Sequence, residues 1–257
     1  MLSNSHIRRY LMSKTVIISG GSSGIGLATA MKFSEMGYMI YSLDINSPAN
    51  KIKNLIHIHC DIAKVKDIQN AADEISKSTS TIDALICNAG IHFSNNIEAT
   101  SEKDFDHVVA INLKGNFFLT QIFLPFMKKQ KSGSIVFVGS DQTLIGKKNS
   151  AVYGATKAAL GNLAKSTALD YADYGIRSNL VAVGTVDTPL YQTAIKNYCA
   201  KTGAKIDDVH KSEAQEQPLN RIGLPQEVAS LIYFLCSDEA AFITGGIYPI
   251  DGGYTAK

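Results

Sequence analysis

The chain has 257 residues, of which 45% are hydrophobic and 19% are charged. This length can bury one substantial core, and the hydrophobic content excludes intrinsic disorder. Lys and Arg number 25 against 23 Asp and Glu, a formal net charge of +2, so electrostatics give no reason to expect a nucleic acid or an anionic membrane as partner. No apolar run approaches the roughly 18 residues of a membrane-spanning helix.

The cysteines and the N-terminus carry little functional signal. The four cysteines form no CxxC pair and have no His cluster at metal spacing, so we expect free, buried thiols in a reducing cytoplasm and no metal site. A targeting peptide is conceivable because residues 1–11 are basic, but they lack a secretory apolar core. We interpret residues 1–12 as an extension and residues 13–257 as one domain.

Short apolar runs alternate with amphipathic segments along the chain. The predicted strands are 14–19, 38–44, 55–60, 82–87, 134–138, 176–183 and 246–250. The predicted helices are 25–36, 64–77, 102–129 (as one helix or two), 152–174 and 226–236. The strands are continuous apolar runs, which indicates burial on both faces. We therefore predict a doubly wound parallel sheet in a single αβα sandwich, the Rossmann fold.

The segment 185–224 fits no strand and has a polar composition. An insertion after the carboxyl end of a strand lies over the ligand crevice in this architecture. We interpret the segment as a substrate lid, with a surface excursion as the alternative.

A glycine-rich turn joins the first predicted strand to the first helix. Glycines permit a tight turn and a close backbone approach to a pyrophosphate, and the helix N-terminus supplies free N–H groups. The strand before the turn, the helix after it and an acid at the next strand end all agree with a dinucleotide site. The predicted contacts are Gly20, Ser22, Ser23, Gly24, Ile25 and Gly26.

Asp44 ends the second predicted strand, 24 residues after Gly20. A carboxylate there can accept hydrogen bonds from an adenosine ribose and would repel a 2′-phosphate. The nearest basic residue after it is Lys51. This favours NAD over NADP, although Asp44 could also be a solvated residue at a strand end.

Tyr153 and Lys157 lie four residues apart in a predicted helix and therefore share a face. A nearby ammonium group favours the phenolate and lowers the pKa of a tyrosine, which makes it a usable acid–base near neutral pH. The Tyr-x-x-x-Lys pattern is common by chance, so it needs its context.

That context resembles the short-chain dehydrogenase/reductase family from Ser13 to Tyr254. The glycine turn is similar to the TGxxxGxG pattern of that family, with Ser19 in place of Thr. The other matches are Cys87-Asn88-Ala89-Gly90 for NNAG, Asn112 and Ser140 at 41 and 13 residues before Tyr153, Gly184 to Thr188 for PGxxxT with Val183 replacing Pro, and the tail from Ile243 to Gly253.

The resemblance implies a role for each matching residue. Tyr153 is the implied general acid/base, Ser140 orients the substrate oxygen, Lys157 lowers the tyrosine pKa and holds the nicotinamide ribose, and Asn112 positions a water. Ser140 could instead cap a strand end, and Asn112 could merely break a helix. The implied cofactor contacts are Asp61 and Ile62 at adenine, Asn88, Ala89 and Gly90 along the adenosine side, and Val186 and Thr188 at the carboxamide.

Polar side chains around Tyr153 suggest a small hydroxylated substrate, such as a sugar or a sugar acid. The stretch Gly184 to Tyr191 resembles family members that act on polyols, sugar acids and hydroxy acids. The candidate substrate contacts are His92, Ser140, Gln142, Tyr153 and Tyr191. Lys147 and Lys148 are interpreted as solvated loop residues rather than a carboxylate clamp.

Three functions are weighed: an NAD-dependent alcohol dehydrogenase or carbonyl reductase, a reductase of carrier-linked 3-oxoacyl groups, and a non-catalytic dinucleotide sensor. The complete set of four matching residues argues against the sensor, and Asp44 argues against the NADPH-dependent acyl reductase. The resemblance also implies a homotetramer, with the helices 102–129 and 152–174 at one two-fold interface and the last strand at another.

Overall fold

The structure is a computed structural model that describes residues 14–256. Its centre is a seven-stranded sheet in the order β3-β2-β1-β4-β5-β6-β7, with every neighbouring pair parallel. The strands are β1 (Thr15–Ser19), β2 (Met39–Asp44), β3 (Leu55–His59), β4 (Ala84–Cys87), β5 (Gly133–Val138), β6 (Ile176–Val183) and β7 (Ile247–Ile250). The predicted doubly wound parallel sheet is confirmed.

Eight α-helices of the described region accompany the sheet. They are α1 (Gly24–Glu35), α2 (Val65–Ser76), α3 (Glu102–Val109), α4 (Asn116–Gln130), α5 (Ala151–Tyr171), α6 (Pro189–Thr202), α7 (Ile206–Glu216) and α8 (Pro225–Cys236). β2 and β3 lie on one side of β1, and β4 to β7 lie on the other side. The direction in which strands are added to the sheet therefore reverses between β1 and β4. A crevice therefore opens at the carboxyl ends of these strands, where ligands bind in such sheets.

Both faces of the sheet are covered by apolar side chains. In β5, Ile135 and Phe137 pack into one core and Val136 and Val138 into the other, and none is more than 5% exposed. Successive side chains of a strand point to opposite faces, so a strand buried on both sides must be apolar throughout. This is why the strands are continuous apolar runs in the sequence.

The predicted helix 102–129 is two α-helices, α3 and α4, joined by a π-helical turn at Ala110–Gly115. The helical run Glu102–Gln130 is long enough to cross a bilayer, and an 18-residue window within it has a mean hydropathy of 1.2, contrary to the expectation that no segment is long and apolar enough to do so. Leu119, Phe123 and Met127 are fully buried in the core beside the sheet. Packing in the core therefore accounts for its apolar composition.

The segment 185–224 contains no strand, as expected, but it forms α6 and α7, which were not predicted. Its two ends are tied together by a bridge between Val186 and Gly223. The expectation for the cysteines is only partly met: all four are free, Cys60 and Cys87 are buried, and Cys199 and Cys236 are partly exposed. The predicted extension, residues 1–12, lies outside the described residues.

Candidate active site

A cavity of about 930 Å³ opens over the crevice at the carboxyl ends of the strands. One end is lined by the glycine turn and Asp44, and the other by Tyr153 and residues of α6 and α7. This volume is at the upper end of the range that ligand pockets occupy. The lid segment therefore covers the same cavity that the glycine turn opens into.

The glycine turn has the backbone conformation that its sequence requires. Gly20 and Gly24 have positive φ angles of 67° and 52°, a region that side chains disfavour. Ser23 precedes α1 and makes no side-chain capping hydrogen bond, so N–H groups of the first turn stay available to an anion. Gly20, Ser23, Gly24 and Ile25 line the cavity.

Two predicted cofactor contacts in this turn do not line the cavity. A Cβ on Gly26 would collide with the carbonyl of Gly20, so this glycine allows α1 to pack closely against the turn. Ser22 is buried, and its backbone N–H donates to Oδ2 of Asp44 at 3.0 Å. Gly26 thus serves the packing of α1 and Ser22 holds Asp44, and their direct contact with a cofactor stays a prediction.

The carboxylate of Asp44 is fixed at the edge of the cavity. Besides the bond from Ser22, its Oδ1 accepts a hydrogen bond from the backbone N–H of Asn46 at 3.0 Å. Asp61 and Ile62 line the same end, and no lysine or arginine of residues 14–256 lines it. We call this part of the cavity the adenosine end, because it is where the adenosine is predicted to bind. It thus presents carboxylates and no described cation that could bind a 2′-phosphate.

Ser19 and Asn88 join the glycine turn to the end of β4. The Oγ of Ser19 accepts hydrogen bonds from the N–H groups of Asn88 and Ala89, both at 3.0 Å. The Nδ2 of Asn88 donates back to the carbonyls of Ser19 and Gly20. The serine that replaces threonine in the glycine motif therefore makes this connection, and Asn88, Ala89 and Gly90 line the middle of the cavity. Val186 in the loop after β6 and Thr188 at the start of α6 also line it.

Tyr153, Lys157 and Ser140 meet at the other end of the cavity, which they all line. Lys157 is buried, and its Nζ donates to the carbonyl of Val138 at 2.9 Å. The same Nζ lies 5.7 Å from the centre of the Tyr153 ring. α5 places the tyrosine and the lysine on one face, and the end of β5 supplies Ser140, which holds the short helical turn that follows it.

The two ionisable groups are both shifted toward their neutral forms. Burial raises the pKa of Tyr153 to about 12, and the charge of Asp141 reinforces this increase, whereas a side-chain hydrogen bond with Ser140 opposes it. Burial lowers the pKa of Lys157 to about 8. The expected lowering of the tyrosine pKa by Lys157 is not seen in this ligand-free protein, because desolvation outweighs the other contributions to Tyr153.

Asn112 does not line the cavity, unlike the other three residues of the predicted set. It is fully buried in the π-helical turn, a feature often found at functional sites. Its Oδ1 accepts from the N–H of Ile91 at 2.8 Å, and its Nδ2 donates to the carbonyl of Ile91 at 2.9 Å. Its side chain therefore holds the loop after β4 from the π-helical turn, where the regular α-helix is interrupted, and it does not line the cavity.

The candidate substrate residues His92, Gln142 and Tyr191 line the cavity near Tyr153. The ring of His92 lies 5.2 Å from that of Tyr153, and burial together with the charge of Lys147 lowers the pKa of His92. The hydroxyl of Tyr191 lies 3.0 Å from Nδ1 of His210, which connects α6 to α7. His210 was not predicted, because the contact exists only when these helices pack together.

Lys147 corrects the interpretation of its loop as solvated. It lines the cavity, and its Nζ forms an ion pair with Oδ2 of the buried Asp141 at 2.8 Å. Lys148 is exposed and does not line the cavity, so the solvated interpretation holds for this residue alone. Glu213 of the lid also lines this end and was missed, since no motif distinguishes it from the other acids of a polar segment.

The chain is similar to a known protein family and to individual proteins over nearly its whole length. A family model described as enoyl-(acyl carrier protein) reductase matches residues 20–255. An uncharacterised oxidoreductase of Thermotoga maritima is 38% identical, with 95% of this chain and 98% of the relative aligned. Rat dehydrogenase/reductase SDR family member 6 is 36% identical, and a Thermotoga maritima 3-oxoacyl-[acyl-carrier-protein] reductase is 33% identical, both over the same shares.

Solved structures are similar over nearly the whole chain. Ligand-free aldohexose dehydrogenase of Thermoplasma acidophilum has a TM-score of 0.90 at 36% identity, with 96% of each chain covered. ElxO with NADP bound has a TM-score of 0.87 at 30% identity, with 96% of this chain and 100% of that chain covered. The similarity spans the cavity and the lid as well as the sheet.

Proposed function

The chain belongs to the short-chain dehydrogenase/reductase family, and on that premise we propose that it is an NAD-dependent oxidoreductase for a secondary alcohol or ketone. A bound nicotinamide dinucleotide supplies the hydride acceptor or donor. The observation that carries the proposal is that one cavity has the glycine turn at one end and Tyr153, Ser140 and Lys157 at the other. The family membership fixes the oxidoreductase class, and the substrate and the cofactor preference are part of the proposal.

The residues present fit a dinucleotide. The uncapped N-terminus of α1 suits its phosphates, and Gly20 lets the glycine turn pack against Asn88, because a Cβ there would lie 2.9 Å from Nδ2 of that residue. Asp44 would accept hydrogen bonds from the adenosine ribose hydroxyls, and Lys157 would hold the nicotinamide ribose. The fixed carboxylate of Asp44 supports NAD rather than NADP.

Tyr153 is the proposed general acid/base. Its hydroxyl would exchange a proton with the substrate oxygen, and Ser140 would hold that oxygen in place. Lys157 would stabilise the phenolate when its own charge is present. Asn112 is proposed to act on the loop at Ile91, through which it positions the residues that line the cavity, rather than on a proton directly.

The proposed substrate is a small polar molecule: a sugar, a polyol, a sugar acid or a hydroxy acid. The polar lining by His92, Gln142 and Tyr191 supports this class. The structural similarity to an aldohexose dehydrogenase points the same way. Following NAD reduction against a panel of sugars, polyols and hydroxy acids tests the proposal, and a dinucleotide-binding protein that oxidises none of them would contradict it.

Reduction of a carrier-linked 3-oxoacyl group is the second candidate function. It is favoured by one observation, the 33% identity to a 3-oxoacyl-[acyl-carrier-protein] reductase. The similar structure of ElxO contains NADP, so this fold also binds the cofactor that such a reductase would use. Assaying acetoacetyl-carrier reduction with NADH and with NADPH distinguishes this candidate from an NAD-dependent alcohol dehydrogenase.

We also propose a cytoplasmic homotetramer that binds neither nucleic acid nor membrane. The free cysteines support a reducing compartment. Phe105 and Phe117 on α3 and α4 are about half exposed, and Leu169 on α5 is 81% exposed. These apolar side chains on neighbouring helices support one two-fold interface, and the edge strand β7 supports a second.

A further inference from the structure

The ion pair between Asp141 and Lys147 lies next to the proposed acid/base. Asp141 is 3% exposed, and its Oδ1 accepts a hydrogen bond from Oγ of Ser140 at 2.7 Å. Its Oδ2 lies 2.8 Å from Nζ of Lys147, whose ammonium group also lies 4.4 Å from the centre of the Tyr254 ring. A buried carboxylate with a partner on each oxygen is fixed in position beside Ser140.

Lys147 is consequently not a free cation that could hold a substrate carboxylate. Burial alone would lower its pKa, but the hydrogen bond and charge of Asp141 outweigh burial and raise it. A substrate carboxylate that approached Lys147 would meet the charge of Asp141 a few ångströms away. Next to a carboxylate that is itself buried, such like-charge contact is unfavourable.

The rest of this end of the cavity adds more negative charge. Beyond the adenosine end, four carboxylates and two ammonium groups of residues 14–256 line the cavity: Asp141, Asp208, Glu213 and Glu216 against Lys147 and Lys157. His92 adds no compensating cation near neutral pH, because burial and Lys147 lower its pKa. The balance is unfavourable for an anionic substrate.

The hydrogen-bonding capacity points in the same direction. A carboxylate only accepts, and a serine hydroxyl has one proton. Ser140 directs that proton to Asp141 and accepts from the N–H of Gln142, so it has no proton left to donate to a substrate carboxylate. Glu213 lines the lid side as a further acceptor. Hydroxyl groups of a substrate can donate to such acceptors, whereas a substrate carboxylate cannot.

We propose that the Asp141–Lys147 ion pair makes the site selective for an uncharged polyhydroxylated substrate, an aldose or a polyol, and excludes sugar acids and hydroxy acids. Asp141 accepts from substrate hydroxyls near the reacting carbon, and Lys147 donates to a neighbouring substrate oxygen. The inference rests on the proposed function and narrows its substrate class.

The test uses pairs of substrates that differ only in a carboxylate, such as glucose with glucuronate, galactose with galacturonate, and a polyol with its aldonate. The measured quantity is the ratio of kcat/KM for the neutral member to that for the acid. We expect a ratio above about 10 for the wild-type protein, equivalent to about 1.4 kcal/mol. A ratio near 1 or below it overturns the inference.

Two variants probe the ion pair with opposite signs. Asp141→Asn leaves Lys147 uncompensated and should shift the ratio toward the acid by at least tenfold, even if overall turnover falls. Lys147→Gln should raise KM for the neutral substrate without any gain for the acid. Lys148→Gln is the matched control and should leave the ratio unchanged. An unchanged ratio in Asp141→Asn, in a protein that still binds NADH, contradicts the proposal.

Failure of the proposed function has a different signature. A protein that binds NADH but oxidises no member of any pair refutes the dehydrogenase assignment, and the inference falls with it. A protein that turns over hydroxy acids better than sugars keeps the dehydrogenase assignment and refutes only the selectivity.

Discussion

The Nζ of Lys157 donates a hydrogen bond to the carbonyl of Val138 at 2.9 Å, which anchors the buried lysine of α5 to the end of β5. The carbonyl is neutral, and no carboxylate of residues 14–256 is bonded to this ammonium group. Burial consequently lowers the pKa of Lys157, and the lysine titrates close to the pH at which such an enzyme would be assayed. Its protonation state is a property of the fold that can be measured.

The pKa of Lys157 predicts how stability depends on pH. Burial lowers this pKa to about 8 from an ordinary value of 10.5. Between these values the unfolded chain binds more protons than the native protein, so Lys157 makes stability rise with pH. We expect the free energy of unfolding of the ligand-free protein to increase from pH 8 to pH 10 relative to Lys157→Met.

Urea denaturation of both proteins across this range measures the difference. The comparison stops at pH 10 because the raised pKa of Tyr153 makes stability fall with pH from there to about 12. A difference between wild type and Lys157→Met that stays constant, or that declines with pH, contradicts the burial of Lys157 without a charged partner.

Tyr153→Phe should keep dinucleotide affinity and lose most of the turnover. The phenyl ring can still pack against His92, but no proton can be exchanged with the substrate oxygen. We expect kcat below one-tenth of the wild-type value, with NADH affinity by fluorescence titration changed by less than about threefold. Lys157→Ala should lower both the turnover and the dinucleotide affinity. Retention of more than about one-tenth of the activity in Tyr153→Phe would rule out the acid/base role.

NAD should be preferred over NADP by at least about tenfold in kcat/KM, or roughly 1.4 kcal/mol. The reason is the carboxylate of Asp44, which the N–H groups of Ser22 and Asn46 hold at the edge of the cavity. Asp44→Asn and Asp44→Ala should both reduce the difference in kcat/KM between NAD and NADP, since each removes the charge that repels a 2′-phosphate. Equal kcat/KM values with the two cofactors in the wild-type protein would contradict the assignment of NAD as the preferred cofactor.

Gly26→Ala should destabilise the protein by about 1–3 kcal/mol, because the added Cβ meets the backbone carbonyl of Gly20 and cannot be relieved by a side-chain rotation. The same substitution should weaken NADH binding, since α1 must move away from the glycine turn. Gly146→Ala is the control, because no heavy atom of residues 14–256, its chain neighbours aside, lies within 4 Å of the added Cβ. Equal urea midpoints for the two variants would contradict close packing at Gly26.

The proposed tetramer makes Phe117 and Leu169 interface residues. Phe117→Glu or Leu169→Glu should reduce the mass measured by light scattering from a tetramer to a dimer held by the other interface. Ile97→Glu changes a side chain that is 80% exposed on neither helix and should leave the mass unchanged. A wild-type monomer at micromolar concentration refutes the assembly, and a wild-type dimer leaves only one interface in place.

The sequence alone determined the sheet and the dinucleotide end of the cavity. Strands such as β5 are continuous apolar runs because both faces are buried, and Gly20 and Gly24 stand where positive φ angles are needed. Such signals are local: they depend on a few consecutive residues and on the side-chain period of the strand. The four-residue spacing of Tyr153 and Lys157 is a signal of the same kind.

Only the tertiary structure decided which side chains face the cavity. Lys147 and Lys148 are adjacent in the sequence, yet one pairs with buried Asp141 and the other is exposed, because the direction of a loop side chain depends on distant packing. Asn112 turns to the backbone of Ile91, 21 residues away in the chain. The pKa of Tyr153 likewise follows from desolvation, which arises when several elements close around it and which no local spacing records.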